Sequence, residues 1–300
     1  MNKCYVIYKY KVLTNFEIPF LSENEVSIYS DYDAEIILCY GGYEKGNLIA
    51  FSGDNFYNIS SPYAEYKIDA EKCIIHGYSE NINQIVSTLF NIPFSILSLT
   101  KGDVLLHGSS IEYKGAVYCF VGDKGAGKST LTAHLMKRFN FYSDDTILIS
   151  TPRLTAYRSG ANILKLNSDS YDSSRCPTDK PFDMYTKNSQ GKACIEIKRK
   201  FSENTTFYTK KIYIIERKNH EIPAIIPMRS FLSRKYALLN NVVGSAVIPG
   251  PFKSQILKNS VFKALEENIT ISRLIIPNNL NSLTEISDML EKDINHESIQ

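Results

Sequence analysis

The chain has little of what marks several large protein classes. It carries only six cysteines, scattered singly at Cys4, Cys39, Cys73, Cys119, Cys176 and Cys194. No C-x-x-C pair occurs among them, so neither a zinc site nor a disulfide framework is indicated, and the thiols are expected to be reduced and mainly buried. Long apolar runs are missing too: the longest, around Ile92 to Leu99, is far shorter than the roughly 20 residues of a bilayer-spanning helix. The start, Met1-Asn2-Lys3-Cys4-Tyr5, lacks the apolar core of a signal peptide, and the expectation is a cytoplasmic protein. Charge of one sign is scarce as well, with 34 basic residues against 32 acidic and a formal charge of +2. With no long single-sign run, neither nucleic acid nor a membrane is expected as a partner. What is left is the composition of an ordinary soluble globular protein. Its 300 residues can bury one large core, or a catalytic domain with a smaller companion.

One motif stands out against this background. Gly122-Asp123-Lys124-Gly125-Ala126-Gly127-Lys128-Ser129 is a complete G-x-x-x-x-G-K-[ST] phosphate-binding loop, which points to a nucleoside triphosphate and its magnesium ion. A glycine-rich turn can match such a pattern by accident, but the flanks argue against accident here. Ala116 to Val121 reads as a buried strand feeding the loop, and Ser129 to Phe139 as the helix leaving it. The glycines let successive N–H groups converge on one anion, and the helix N-terminus adds partial positive charge. Lys128 would reach the β- and γ-phosphates, and the Ser129 hydroxyl would replace a water on magnesium. The candidate nucleotide-binding residues are Gly122, Asp123, Lys124, Gly125, Ala126, Gly127, Lys128, Ser129 and Thr130. Lys124 is either a solvent-facing loop position or a contact to the γ-phosphate.

Phosphoryl transfer also needs an attacking oxygen that is aimed and deprotonated. Asp144-Asp145, adjacent carboxylates at a strand edge soon after the loop's helix, can divide that work. One can approach magnesium while the other accepts the proton of an incoming hydroxyl. Alone, paired acids more often sit in a solvated turn; the upstream phosphate loop favours the functional reading. His107, before Gly108 at the end of a strand expected to neighbour the loop strand, is a second candidate catalyst, although histidines at strand ends are often structural. Arg158, Arg175, Lys180, Lys187, Lys192, Lys198 and Arg199 are the cations from which a phosphate clamp could be drawn, and nothing in the sequence selects one.

Elsewhere the chain reads as follows. Short strands are expected at Tyr5–Tyr8, Glu35–Cys39, Asn47–Phe51 and Tyr63–Ile68, giving a tyrosine-rich β-lobe over 1–80. Residues 81–300 form the nucleotide-binding catalytic domain. A helix is expected over Asn83–Leu99 with a bend or break at Pro93. Val104–His107 is a strand, Ser110–Ala116 a hairpin, and Thr146–Ile149 and Lys211–Glu216 are core strands. Asn167–Lys192 lacks periodicity and reads as a lid beside the site. Helices over 229–243 and 253–267, a strand over 271–276 and a last helix opened by the capping box Ser282–Glu285 complete the pattern. The polar tail from Lys292 is expected to fray.

Leu105-Leu106-His107-Gly108-Ser109-Ser110, then Val121 to Ser129, then Ser143-Asp144-Asp145, resemble the catalytic domain of the HPr kinase/phosphorylase family. The likeness is greatest to its shorter HPr-kinase-like relatives found with peptide-modification gene clusters. It covers residues 105–149 most closely and extends more loosely through Tyr157–Leu166, Ile212–Arg217 and Arg273–Leu290. The resemblance implies an α/β (α+β) fold of the P-loop type shared by HPr kinase and phosphoenolpyruvate carboxykinase, with the β-rich lobe in front. It also implies an ATP- and magnesium-dependent kinase acting on a serine or threonine hydroxyl, with Asp144 and His107 near the acceptor, Lys128 on the phosphates, and Ser129 and Asp145 near Mg2+. The chain lacks the E-x-R-G-x-G-like run of the bifunctional enzymes, and its region before His107 is shorter than their N-terminal domain. The implied acceptor is therefore a peptide or small protein, a ribosomally made precursor peptide before HPr itself or free serine.

Other nucleotide-using classes lack their marks here. There is no L-S-G-G-Q loop of a transporter ATPase, no N-K-x-D guanine reader, and no H-R-D or D-F-G of the eukaryotic-type kinases. A module that keeps the loop without transferring phosphate would not need Lys128, Ser129, Asp144 and Asp145 all intact.

Overall fold

Apolar side chains alternate along the central strands, and that alternation decides the layering. In β9 (Ala116–Gly122), Val117, Cys119 and Val121 point to one core cluster while Tyr118 and Phe120 point to another. β15 (Thr206–Lys218) divides the same way, with Ile212 and Ile214 against Tyr213 and Ile215. Strands buried on both faces must be covered on both faces.

The computed structural model describes residues 2–27, 31–39, 49–51, 55–61, 64–79, 85, 88–151, 153–159, 163–167, 193–197, 206–219, 222–245, 250–277 and 282–297. The first seven strands are β1 (Lys3–Ile7), β2 (Tyr10–Thr14), β3 (Ala34–Cys39), β4 (Ile49–Phe51), β5 (Phe56–Ser60), β6 (Glu65–Asp69) and β7 (Ile74–Tyr78). They make one sheet in the order β1-β2-β3-β7-β6-β5-β4. After α1 (Ile92–Thr100) come β8 (Val104–Tyr113), β9, α2 (Lys128–Leu135), β10 (Asn140–Ser143), β11 (Thr146–Ser150) and β12 (Thr155–Tyr157). β13 (Ile163–Leu166) and β14 (Ala193–Glu196) form a separate antiparallel ribbon. β15, β16 (Ala224–Pro227), α3 (Phe231–Asn241), α4 (Gly250–Lys258), α5 (Ser260–Asn268), β17 (Thr270–Pro277) and α6 (Leu283–Glu297) complete the chain.

In the second sheet β9, β15 and β17 run parallel, and β8, β11, β12, β15 and β9 pair in a closed circuit. α2 and α6 cover one face of the parallel strands, through Leu131, Leu135, Ile286 and Leu290. α3, α4 and α5 supply Leu238, Phe252, Ile256, Phe262 and Leu265 to the cluster on the other face. That cluster runs on into the first sheet, joining Tyr5, Val12, Ile36 and Ile75 to Leu105, Val121 and Ile212. Sheet membership changes between Tyr78 and Val104, yet the apolar core is shared across the change.

Several elements differ from their sequence-based expectation. The β1–β2 turn places Tyr8 at φ +58°, and β2, β5 and β7 add strands that short polar-interrupted segments did not announce. The helix expected over 83–99 is broken near Pro93, as expected, but just before it: Ile85, Thr88 and Leu89 are helical, Phe90 and Asn91 form a turn, and α1 starts at Ile92 with proline in its first turn, where the missing N–H costs nothing. Val104 to Tyr113 is one continuous strand, longer than the two pieces expected. The helix after the phosphate loop stops at Leu135, short of Phe139. The single helix over 253–267 is two, because the Asn259 side chain caps a fresh start by accepting from the N–H groups of Val261 and Phe262. The lid expected over 167–192 lies, apart from Asn167, outside the described residues, as do 47–48, 63, 83–84 and 86–87 of the expected strands and helix.

Polar contacts pin the two sheets together. Tyr8 Oη lies 2.7 Å from Thr146 Oγ1. Asp103, 2% exposed, accepts from Lys9 Nζ at 2.9 Å and from the Tyr10 hydroxyl. Removing the carboxylate takes the ion partner from Lys9, which keeps Ser150 Oγ at 2.7 Å, and the acceptor from the buried Tyr10 hydroxyl. Asp103→Ala should therefore cost about 3 kcal/mol in urea unfolding, and a loss under about 1 kcal/mol would mean the tie behaves as a solvated surface pair.

Candidate active site

β9 ends at Gly122, and residues 123–127 curl into α2. Two glycines stand where the backbone demands them: Gly125 has φ +85°, and Gly127, the N-cap of α2, has φ +96°. At Gly127 space is short as well, since a Cβ there would stand 2.5 Å from Nη2 of Arg217. Arg217, near the end of β15, donates from Nε to the Ala126 carbonyl at 3.0 Å. Burial lowers its pKa from the ordinary guanidinium value. A cation thus clasps the loop from behind.

Lys128 is buried, and its Nζ donates to the carbonyls of Gly122 at 2.7 Å and Asp123 at 3.0 Å, inside the curl of the loop. Asp123, Lys124 and Gly125 form the exposed tip, and Thr130 is buried in the first turn of the helix. One turn on, Thr132 donates to Ser109 Oγ at 2.8 Å, which ties α2 to β8.

The acidic pair lies beside that helix. Ser143 pairs with Ser110 and Thr146 with His107, so one register continues across Asp144 and Asp145 and sets them opposite Ser109 and Gly108. Gly108 donates its N–H to the Asp145 carbonyl at 3.1 Å. A side chain at Gly108 has no room, because a Cβ would come within 2.7 Å of the Phe120 carbonyl oxygen. Asp145 takes φ +74°, a left-handed turn that aspartate tolerates better than most residues. Because of that turn the two carboxylates diverge.

Asp144 faces the phosphate loop. Its Oδ1 accepts from the Ser129 hydroxyl at 2.8 Å, and its Oδ2 from the Lys165 N–H at 2.9 Å. Burial, with the neighbouring Asp145 charge adding to it, pushes the Asp144 carboxyl up to about 6 against those hydrogen bonds. Asp145 meets the side chain of the same lysine. Its Oδ2 accepts from Lys165 Nζ at 2.8 Å, and its Oδ1 lies 3.8 Å from Nδ1 of His107.

The structure thus brings the loop, Ser129, Asp144, Asp145 and His107 together, with Ser129 next to Asp144 where the expectation had coupled it to Asp145. It adds two residues that sequence reasoning passed over. Lys165 lies on β13, whose Leu164 and Leu166 pack with Ile195 against Ala133 and Met136 of α2, so the strand alternation turns the intervening lysine elsewhere. A lone lysine inside an apolar alternating run was its signal. Arg217 comes two residues after the apolar stretch Ile212–Ile215, at the strand end where parallel sheets gather their ligands. Among the cations first considered, Arg158 is buried near Tyr142, while Arg175, Lys180, Lys187, Lys192, Lys198 and Arg199 lie outside the described residues.

The residues present fit magnesium. Ser129 and Asp144 offer a hydroxyl and a carboxylate oxygen 2.8 Å apart at a helix N-terminus, the hard donors this ion takes. No group of three or more His, Cys, Asp or Glu side chains is gathered as a metal cage among the described residues. No helix among the described residues is long and apolar enough to cross a membrane.

No family model matches the chain, and no curated protein matches it. Among solved structures, the HPr(Ser) kinase/phosphatase from Coxiella burnetii is similar over 64% of this chain and 98% of its own, at 11% identity and a TM-score of 0.35. At that depth the likeness carries no argument about chemistry, and the reading of the site rests on its geometry.

Gly127 offers a test of that geometry. Gly127→Ala should cost about 2 kcal/mol, from left-handed strain of roughly 1–2 kcal/mol plus displacement of Arg217. In an Arg217→Ala background the same change should cost less, measured by denaturant unfolding of the four proteins in a double-mutant cycle. Additive losses would show that the guanidinium does not occupy the space behind the loop.

Proposed function

We propose that the chain is an ATP- and magnesium-dependent phosphotransferase that moves the γ-phosphate to a serine or threonine hydroxyl of a peptide or small protein, with a ribosomally made precursor peptide as the leading candidate. The observation that carries this reading is the division of the acidic pair. One carboxylate is hydrogen-bonded to the loop serine, and the other is turned toward a histidine and a lysine. A module that only held nucleotide would have no use for the second.

The division supports an exchange of the roles implied by the family resemblance. Asp144, with Ser129, is the magnesium-side carboxylate, and Asp145 is the acceptor-side base. Magnesium held there supplies positive charge against the phosphate oxygens of the nucleotide. Lys128 adds its ammonium at the β- and γ-oxygens, where water is scarce and charge counts most. Asp145 takes the proton of the acceptor hydroxyl as that oxygen bonds to the γ-phosphorus and the bond to the bridging oxygen of ADP breaks. Lys165 aims Asp145 and offsets its charge, and His107 borders the acceptor oxygen. The ribbon β13–β14 thus connects the acceptor side to the helix of the phosphate loop.

Lys128→Ala should lower transfer by roughly a thousandfold or more, as loss of other charge-stabilising donors does; near-normal transfer would sink the site. The carboxylates should separate kinetically. Asp145→Asn is expected to keep nucleotide affinity within a few-fold while losing turnover, whereas Asp144→Asn should also weaken magnesium-dependent nucleotide binding. The reverse pattern restores the first assignment, and equal mild effects would leave the pair a solvated turn.

The product decides the reaction class. ATP hydrolysis alone should be slow, and rapid ADP release should need an acceptor that gains an acid-stable phosphate on serine or threonine, read by mass spectrometry. Candidate peptides, HPr and free serine are the three acceptors to offer. Vigorous hydrolysis with no phosphorylated acceptor would replace this reading with that of an ATPase.

A further inference from the structure

Residues 222–265 contain six basic side chains and no acidic one, in a chain whose net charge is only +2. The segment's +6 leaves −4 on all the rest. No two of its cations are adjacent except Arg234-Lys235, so no run of charge advertises it. These residues span β16, α3, α4 and most of α5, and the three helices pack against one another. Arg229, Lys253, Lys258 and Lys263 are exposed, and Arg234 and Lys235 partly so. None of the six enters an ion pair among the described residues, whereas Lys3, Lys9, Arg138, Lys165, Lys211 and Arg273 each do. Arg234 Nε is buried with no hydrogen-bond partner there.

Within that stretch α3 also exposes large apolar side chains. α3 buries Leu238 and Leu239 but turns Phe231, Leu232 and Tyr236 outward at 48%, 60% and 62% exposure. Leu232 and Tyr236 are one turn apart on the helix, and Lys235 Nζ stands 5.6 Å from the Phe231 ring centroid. Large exposed apolar side chains interleaved with unpaired cations mark an interface.

We propose that α3, flanked by the cations of α4 and α5, docks an acidic, apolar segment of the peptide acceptor. The inference rests on the phosphotransferase reading above for the acceptor's identity, and on the surface itself for its chemistry. A second copy of the chain is a poor occupant. The acidic helix α6 that could complement the surface is engaged at home, Asp288 and Glu291 by Arg138, and Asp293 and Glu297 by Lys211. Nucleic acid would use the cations but leave three large apolar side chains without a role.

Position links the surface to the chemistry. At the end of α3, Val242 bridges to Leu106 and the Val243 N–H donates to the Leu105 carbonyl, next to His107. From Phe231 to Val242 the helix rises about 16 Å at 1.5 Å per residue. An extended peptide covers that distance with about five residues at roughly 3.3 Å each. The reactive hydroxyl should therefore lie about five residues or more from the docking segment.

The test uses fluorescein-labelled synthetic peptides, each with one serine set about five residues from a segment rich in Glu and Asp with Leu and Phe. Controls replace the acids by Lys, or the Leu and Phe by Ser. Binding is read by fluorescence anisotropy, without ATP, on the full chain and on the exposed-site variants L232D/Y236D and R229E/K235E. Unchanged circular dichroism and melting serve as the folding control. The expected result is saturable binding that weakens with added salt and falls roughly tenfold or more in both control peptides and both variants. Equal binding by the controls or the variants overturns the proposal. So does capture of phosphatidylserine vesicles or an oligonucleotide through the same residues without peptide binding, or self-association lost in L232D/Y236D. The two readings fail separately. Docking without phosphoryl transfer overturns only the phosphotransferase, and a peptide phosphorylated with the same KM by L232D/Y236D overturns only the docking surface.

Discussion

The site depends on how strand β8 is paired. Its first half pairs with β11, its second half with β10 on the same side, and β9 closes against that second half from the other side. One strand therefore fixes both the strand that feeds the phosphate loop and the turn that carries the acids. Gly108 is the point where the three meet, and the lack of room for a Cβ there reflects the closeness of β9. Given that pairing, Ser129 and Asp144 have little choice but to meet. The Thr132–Ser109 hydrogen bond then keeps α2 from rolling away from β8.

Around this frame the charges fall into two kinds. Some are structural, such as Lys211, 3% exposed and held by Asp293 and Glu297, and Arg273, bidentate on Glu216. Others gather at the phosphate loop and the acidic turn, where Lys128 and Arg217 hold loop carbonyls and Lys165 meets both Asp144 and Asp145. The second arrangement is costly for folding, as the raised Asp144 carboxyl indicates. Such concentrations of like and unlike charge in a partly desolvated place are characteristic of sites where charge must be moved.

How much of this is legible in the sequence varies with the range of the interaction. The phosphate loop is local: glycine spacing, one lysine and one serine describe it completely, and the buried strand before it is plain from the run Val117 to Val121. The acidic pair is local in composition but not in role, because which aspartate meets Ser129 is set by the left-handed turn at Asp145 and by register with β8. Lys165 and Arg217 come from later strands: β15 of the closed circuit brings in Arg217, and the separate ribbon β13–β14, packed on α2, brings in Lys165. The first sheet was hardest to read. β2, β5 and β7 are only five residues each, and the pairings of β2 and β7 with β3 are parallel, which leaves no hairpin signature in sequence. Pro93 and Asn259 add a contrast: Pro93 was legible as a bend or break and Asn259 was passed over inside an expected helix, yet both stand where a helix starts.

The closed circuit has one more consequence. In an open sheet a one-residue insertion can be absorbed by sliding a strand toward a free edge, but β8, β11, β12, β15 and β9 have no free edge among them within the circuit. A single residue gained between Ser143 and Thr146 would have to be taken up in the turn itself, and it would rotate one carboxylate into the other's position. The architecture therefore tolerates added residues in α3, α4 and α5, which lie outside the circuit, far better than in the turn that carries the two acids.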